Sequence, residues 1–177
     1  QKPRTIHVGT IIVASGATSF EPIGMFGYEE SKNVITQLQL EELLKTRKLK
    51  KPERVVMIQC VGARQPTGRT YCSRVCCMTA LKNSMLIKEL SPDTDIYILY
   101  RELQTYGKEY EKWHRTAQDK GIKFIKYALE RPPEVTLKPN GKLSVKVHHA
   151  LLDEEMTIEG DLVVLSTPLI QHEDGKA

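Results

Sequence analysis

Aromatic side chains are scarce in this sequence, making up 6% of its 177 residues with one Trp and three Phe. No run approaches the ~18 consecutive apolar residues that a membrane-crossing helix requires. The opening residues Gln1-Lys2-Pro3-Arg4 lack the layout of a secretory signal or transit peptide, so the expected location is cytoplasmic, with no transmembrane segment. Charge is not concentrated either. The 26 basic and 22 acidic residues leave a net +4 spread along the chain, which excludes the basic stripe of a nucleic-acid binder. The densest basic stretch, Lys45 to Lys51, reads as a solvated helix end. Repeats of fixed period and low-complexity tracts are absent. So is G-x-G-x-x-G: the stretch after the apolar run Arg54 to Gln59 reads Cys60-Val61-Gly62-Ala63-Arg64, with a single glycine. Independent binding of a nicotinamide dinucleotide by that unit is therefore not expected. The five His residues form no catalytic spacing with Ser, Asp or Glu.

What is present is a 40% apolar composition, enough for a real core. Thr5 to Ala14 has a buried-strand pattern, with a first strand expected over Gly9–Ala14 that stops at Ser15-Gly16. Thr36 is a natural N-cap for a helix whose inner face would be Leu38, Leu40, Leu43 and Leu44. Arg54 to Gln59 predicts a strand, and Val75 to Leu90 a helix with Met78, Leu81, Met85 and Leu86 facing inward. A strand over Ile96–Tyr100, a helix over Lys108–Asp119 closed by Gly121, and a strand over Ile122–Tyr127 follow. Strand and helix alternating through short connections imply a Rossmann-like parallel sheet. From Val135 onward, short alternating strands with turns at Pro139-Asn140-Gly141 and Asp153-Glu154 imply an appended antiparallel hairpin layer. A further strand over Asp161–Ser166 and a polar tail Gln171–Ala177 complete the chain, whose two ends read as cuts from a longer polypeptide.

All four cysteines lie between positions 60 and 77, as Cys60-x11-Cys72-x3-Cys76-Cys77. In a reducing compartment such clustering points to metal or redox chemistry rather than structural disulfides. Cys60 is placed at the carboxyl end of a strand and Cys76-Cys77 at the start of the next helix, where α/β sheets gather ligands. An anionic iron–sulfur group would be favoured there by free helix N–H groups and by Arg64, Arg69 and Arg74, which would also lower the thiol pKa values. A structural zinc site and a dithiol or buried-thiol arrangement stay open. The spacing has neither the C-x2-4-C knuckles usual for zinc nor the CxxCxxC run of bacterial ferredoxins.

The segments Ile58 to Arg64, Tyr71 to Met78 and Leu86 to Glu89 resemble the iron–sulfur flavoprotein component of heterodisulfide reductase, its A-subunit. Asn33 to Thr36, Tyr106 to Tyr110 and Asp161 to Ser166 extend the resemblance over nearly the whole chain in collinear order. The resemblance implies a thioredoxin-reductase-like fold with two dinucleotide-binding folds, one inserted in the other. It assigns 1–52 to a returning strand of the FAD-binding fold plus a helical connector, and 53–150 to the inserted NAD-binding-like domain with the cysteines. Residues 151–177 are assigned to a hairpin strand and the return to the FAD fold. It further implies a [4Fe-4S] cluster on Cys60, Cys72, Cys76 and Cys77, and FAD in the full-length protein near Ser15 and Gly16. Electron transfer with the other subunits of such a complex and with electron carriers is the implied activity, the segment alone being inactive. The main FAD fingerprint and a ferredoxin-type cysteine run are missing from this sequence.

Overall fold

The computed structural model describes residues 3–172, so Gln1, Lys2 and residues 173–177 of the expected polar tail lie outside the described residues. The elements are β1 (Ala17–Ser19), β2 (Val34–Thr36), α1 (Gln37–Lys45), β3 (Arg54–Ile58), α2 (Cys76–Leu90), β4 (Asp95–Tyr100) and α3 (Tyr110–Asp119). After these come β5 (Lys123–Lys126), β6 (Glu134–Leu137), β7 (Leu143–His149), β8 (Glu154–Gly160), β9 (Leu162–Leu165) and β10 (Leu169–Gln171). A five-stranded sheet has the order β2-β9-β3-β4-β5, with every neighbouring pair parallel.

The uninterrupted apolar run of β3 is explained by layers on both of its faces. Val55 and Met57 pack with Leu40, Leu81 and Ile87 of α1 and α2. Val56 and Ile58 point the other way, onto Val145, Val147 and Ile158 of the antiparallel β6-β7-β8 layer. Helices thus cover one face of the parallel sheet and a meander covers the other; the parallel sheet and the added antiparallel layer are as the sequence predicts.

Local chemistry sets the helix ends. The Thr36 hydroxyl accepts from the Gln39 N–H at 3.3 Å, and the Gln39 carbonyl oxygen of the side chain accepts from the Thr36 N–H at 2.7 Å, a reciprocal capping box. Gly121, left-handed at φ +78°, donates its N–H to the Gln118 carbonyl at 2.8 Å and closes α3. Two inner-face expectations are corrected: Leu38 and Leu86 are exposed. On α2 the stripe that meets the sheet is Ala80, Ser84 and Ile87 with Leu81, one step round the helix from Leu86.

Gly9–Ala14, expected as the first strand, forms none. Ile11, Ile12 and Val13 are 74–87% exposed, because none of the described strands offers this run a ladder. Pairing begins only at β1, which is antiparallel to β10, so Gln171 belongs to a strand and not to a tail. The parallel sheet draws its strands from distant parts of the chain. β9 lies between β2 and β3, with Val163 in register with both Val34 and Val56. Residues 34–36 and 162–165 therefore share the sheet of β3.

Candidate redox site

The carboxyl ends of β9, β3 and β4 form the floor of the site. Cys60 follows β3 directly, held by the Gln59 N–H donating to the Leu99 carbonyl at 2.9 Å and the Val61 N–H donating to the Ser166 carbonyl at 3.0 Å. Its own backbone is left-handed at φ +61°, as are Arg64 at +54° and Arg74 at +62°. Such conformations are costly for residues with a side chain and cluster at functional sites.

The loop from Gly62 to Val75 is pinned at several points. The Arg64 N–H donates to the Tyr71 carbonyl at 3.1 Å, and Arg69 Nε donates to the Gly62 carbonyl at 2.7 Å. The Arg69 guanidinium lies 3.9 Å from the Phe20 ring centroid, and that of Arg74 lies 5.4 Å from the Tyr106 ring. Tyr71 Oη donates to the Leu169 carbonyl at 3.0 Å, while Ser73 Oγ accepts from the Leu169 N–H at 2.8 Å. These bonds dock the Cys72 segment on β10. Cys72 itself is exposed.

Cys76 and Cys77 open α2, whose N-cap Val75 provides no side-chain bond to the first turn, so the free N–H groups of the helix start lie beside them. Their thiols diverge. Cys76 Sγ donates to the Thr167 carbonyl beyond β9 at 3.3 Å, and Cys77 Sγ leans towards the Glu102 carbonyl beyond β4 at 4.0 Å. Cys60 follows the strand between these two. No disulfide links the four thiols, and among the described residues no three Cys, His, Asp or Glu side chains converge as a metal site.

The sulfurs nonetheless share one electrostatic neighbourhood. Burial pushes the Cys76 thiol up to about 12, and the nearby Cys77, Cys60 and Cys72 sulfurs add to the effect. Burial likewise pushes Cys77 up to about 11, with Cys60 and Cys72 adding to it, against the Gln104 backbone and Arg64, which act downward. The arginines expected to favour thiolates therefore do not prevail at these two positions. Arg64 opposes the rise at Cys77, while Arg69 and Arg74 lie over the Phe20 and Tyr106 rings.

Ser15 and Gly16 are exposed. The cleft beside Cys76, about 150 Å³, is lined by Ser19, Gln37, Ser166 and Thr167. Sequence reasoning missed three buried polar residues around Cys60. Gln59 is fully buried, and neither end of its carboxamide has a partner among the described residues. Tyr127, 5% exposed, donates its hydroxyl to the Gln59 carbonyl at 2.6 Å. Arg101, the residue after β4, is 9% exposed and donates to the Ala63 carbonyl at 2.6 Å and the Arg64 carbonyl at 2.9 Å. A polar residue next to an apolar strand run was the only signal for any of them. Glu102 pairs with Arg64 at 2.7 Å.

No protein-family model matches the sequence. Among solved structures, the fold is similar to T. acidophilum thioredoxin reductase (TM-score 0.51, 18% identity, 89% of this chain and 43% of that one). It is also similar to L-lysine 6-monooxygenase from Pseudomonas syringae (TM-score 0.60, 11% identity, 90% of this chain and 45% of that one). Among curated proteins, the iron–sulfur A-subunit of CoB–CoM heterodisulfide reductase from Methanocaldococcus jannaschii is 43% identical over 98% of this chain and 29% of its own length. The A-subunit of the H2/formate:CoB–CoM heterodisulfide, ferredoxin reductase from Methanococcus maripaludis is 41% identical over the same shares. Its counterpart in the ferredoxin/F420H2-dependent CoB–CoM heterodisulfide reductase of Methanosarcina acetivorans is 38% identical over 94% of this chain and 23% of its length. The chain spans less than a third of these relatives, and over that span it belongs to the heterodisulfide reductase A-subunit family.

Proposed function

We propose that this chain is the cluster-bearing part of an FAD and iron–sulfur oxidoreductase subunit, in which Cys60, Cys72, Cys76 and Cys77 ligate a [4Fe-4S] cluster near the flavin. The observation that carries the reading is that Cys60 follows β3, that Cys76 and Cys77 at the start of α2 direct their thiols to carbonyls beyond β9 and β4 on either side of it, and that Cys72 lies on the loop between them, all four unbridged. Four soft sulfur donors suit iron–sulfur ligation. The unpaired carboxamide of Gln59 and the free N–H groups opening α2 supply donors to an anionic occupant. Bound there, such a cluster supplies one-electron transfer.

This chain's residues then have distinct tasks. Cys60 is fixed by the sheet and Cys76 and Cys77 by the helix, while Cys72 is presented by the loop that Tyr71 and Ser73 dock on β10. Ligation requires Cys76 and Cys77 to release the protons they hold when no metal is bound, so assembly should be proton-releasing. The whole subunit would exchange electrons with partner subunits and with carriers such as those in its relatives' names, ferredoxin and F420H2. A dithiol oxidoreductase is less well supported, because thiols raised to about 12 and 11 are poor nucleophiles at neutral pH.

Iron and sulfide analysis with electron paramagnetic resonance on the full-length subunit, purified without oxygen, tests the proposal. A cluster signal abolished or strongly altered by Cys72→Ala is the expected result. Zinc in one equivalent, with no iron attributable to these cysteines, would replace it with a structural metal site.

A further inference from the structure

Arg101 presents an electrostatic imbalance. Its guanidinium is 9% exposed, yet among the described residues it has no carboxylate partner. The adjacent carboxylate, Glu102, is taken by Arg64. Arg101 is bonded to two neutral carbonyls, Ala63 and Arg64, and its Nε is buried with no partner among the described residues. A buried cation without a counter-charge is costly, and an anion close by would offset that cost. The bonded carbonyls belong to the loop between Cys60 and Cys72. Tyr127, whose hydroxyl holds the peptide before Cys60, interacts electrostatically with both the Cys60 sulfur and the Arg101 guanidinium. With Glu102 paired to Arg64, the group of this neighbourhood that can carry negative charge is the Cys60 sulfur, which acts on Tyr127 together with Arg101.

We infer that Arg101 is the fixed counter-charge of the anionic group held by the four cysteines. It braces the first half of the loop and raises that group's reduction potential. The inference rests on the cluster reading above and assigns Arg101 a positioning and electrostatic role, with no contact to the reacting atoms. Reduction adds one negative charge to the site, and a buried positive charge whose hydrogen bonds reach the loop just after Cys60 stabilises the reduced form more than the oxidised one. No proton or further reactant is needed, because one electron enters and the site becomes one unit more negative.

The test uses the full-length subunit, purified without oxygen, with Arg101→Met, Arg101→Gln and Arg101→Lys variants. The readouts are iron content and the midpoint potential of the cluster signal in a redox titration. Iron-free wild-type protein would sink the cluster reading itself, an outcome separate from the rest. With the cluster retained, the two neutral variants should disfavour reduction about tenfold, which is about 59 mV lower for one electron, while the lysine variant stays near wild type. Unchanged potentials in the neutral variants, or equal shifts in all three, would overturn the assignment. Should the neutral variants fail to assemble a cluster, assembly in Arg101→Lys alone supports the counter-charge, and failure in all three reduces Arg101 to a structural brace and overturns it.

Discussion

Tyr127 closes β5 onto β3 by donating its hydroxyl to the Gln59 carbonyl at 2.6 Å, reaching past β4 to hold the last peptide before Cys60. Burial, together with the nearby Cys60 sulfur, raises its pKa, so the phenol remains a donor throughout the neutral range. Tyr127→Phe keeps the ring and removes this bond, leaving a buried carbonyl short of a partner. The expected loss is about 1–3 kcal/mol of unfolding free energy, measured by urea denaturation. An unchanged midpoint would mean that the bond is not fixing the Cys60 turn.

The buried thiols make the metal-free protein sensitive to base. Cys76 and Cys77 have pKa values raised from 9.0 to about 12 and about 11. Between those limits the folded chain holds protons that the unfolded chain has released. Stability from these groups is therefore complete below about pH 9 and is lost as pH rises through 11 to 12. A Cys76→Ala, Cys77→Ala variant should show a flatter decline over that window in thermal melts. At about pH 8, below the ordinary thiol range, iodoacetamide should modify exposed Cys72 well before Cys76 and Cys77. Rapid labelling of the latter pair would contradict the burial that raises them.

Gly62 has a dual constraint. Its φ is +73°, and a Cβ would sit 2.3 Å from the Phe20 ring, the ring on which Arg69 stacks. Gly62→Ala should cost roughly 1–3 kcal/mol. A Phe20→Ala background removes the clash but not the backbone strain, so the double-mutant cycle should show a favourable coupling with a residual penalty. Additive losses would mean that the ring is free to move aside. In the intact protein the same substitution should lower iron retention, since Arg69 Nε is bonded to the Gly62 carbonyl.

What could be read in the sequence was chemistry settled within a few residues. Thr36 caps α1 through Gln39 three positions on, Gly121 ends α3 against Gln118, and the Cys60 to Cys77 spacing is a local pattern. The apolar run of β3 was equally legible as a strand. What escaped were relations between distant residues. Arg101 reaches the Ala63 carbonyl across 38 positions, and Tyr127 reaches the Gln59 carbonyl across 68. Neither has a signature in its own neighbourhood. The Gly9–Ala14 run failed for the converse reason: its pattern is that of a buried strand, but a strand needs a neighbour, and no described strand supplies one. The place of β9 in the sheet of β3 is a matter of pairing, which alternating hydrophobicity does not encode.

The polar seam under the cleft beside Cys76 yields the last prediction. Asn83 Nδ2 donates to Gln37 Oε1 at 2.8 Å, and Gln37 Nε2 donates to Ser166 Oγ at 3.1 Å. α2, the start of α1 and the end of β9 are tied together through residues that are 0–6% exposed. Removing one member strands its partner in a dry site, so Gln37→Leu should cost about 1–3 kcal/mol, with Asn83→Leu similar. The pair Gln37→Leu, Asn83→Leu leaves fewer orphaned groups and should be less destabilised than the sum of the single changes. Strict additivity in chemical denaturation would show that the two carboxamides do not depend on each other. The result bears on the redox site, because Gln37 and Cys76 line the same cleft, and a loosened α1–α2 seam would displace the helix start that presents two of the four sulfurs.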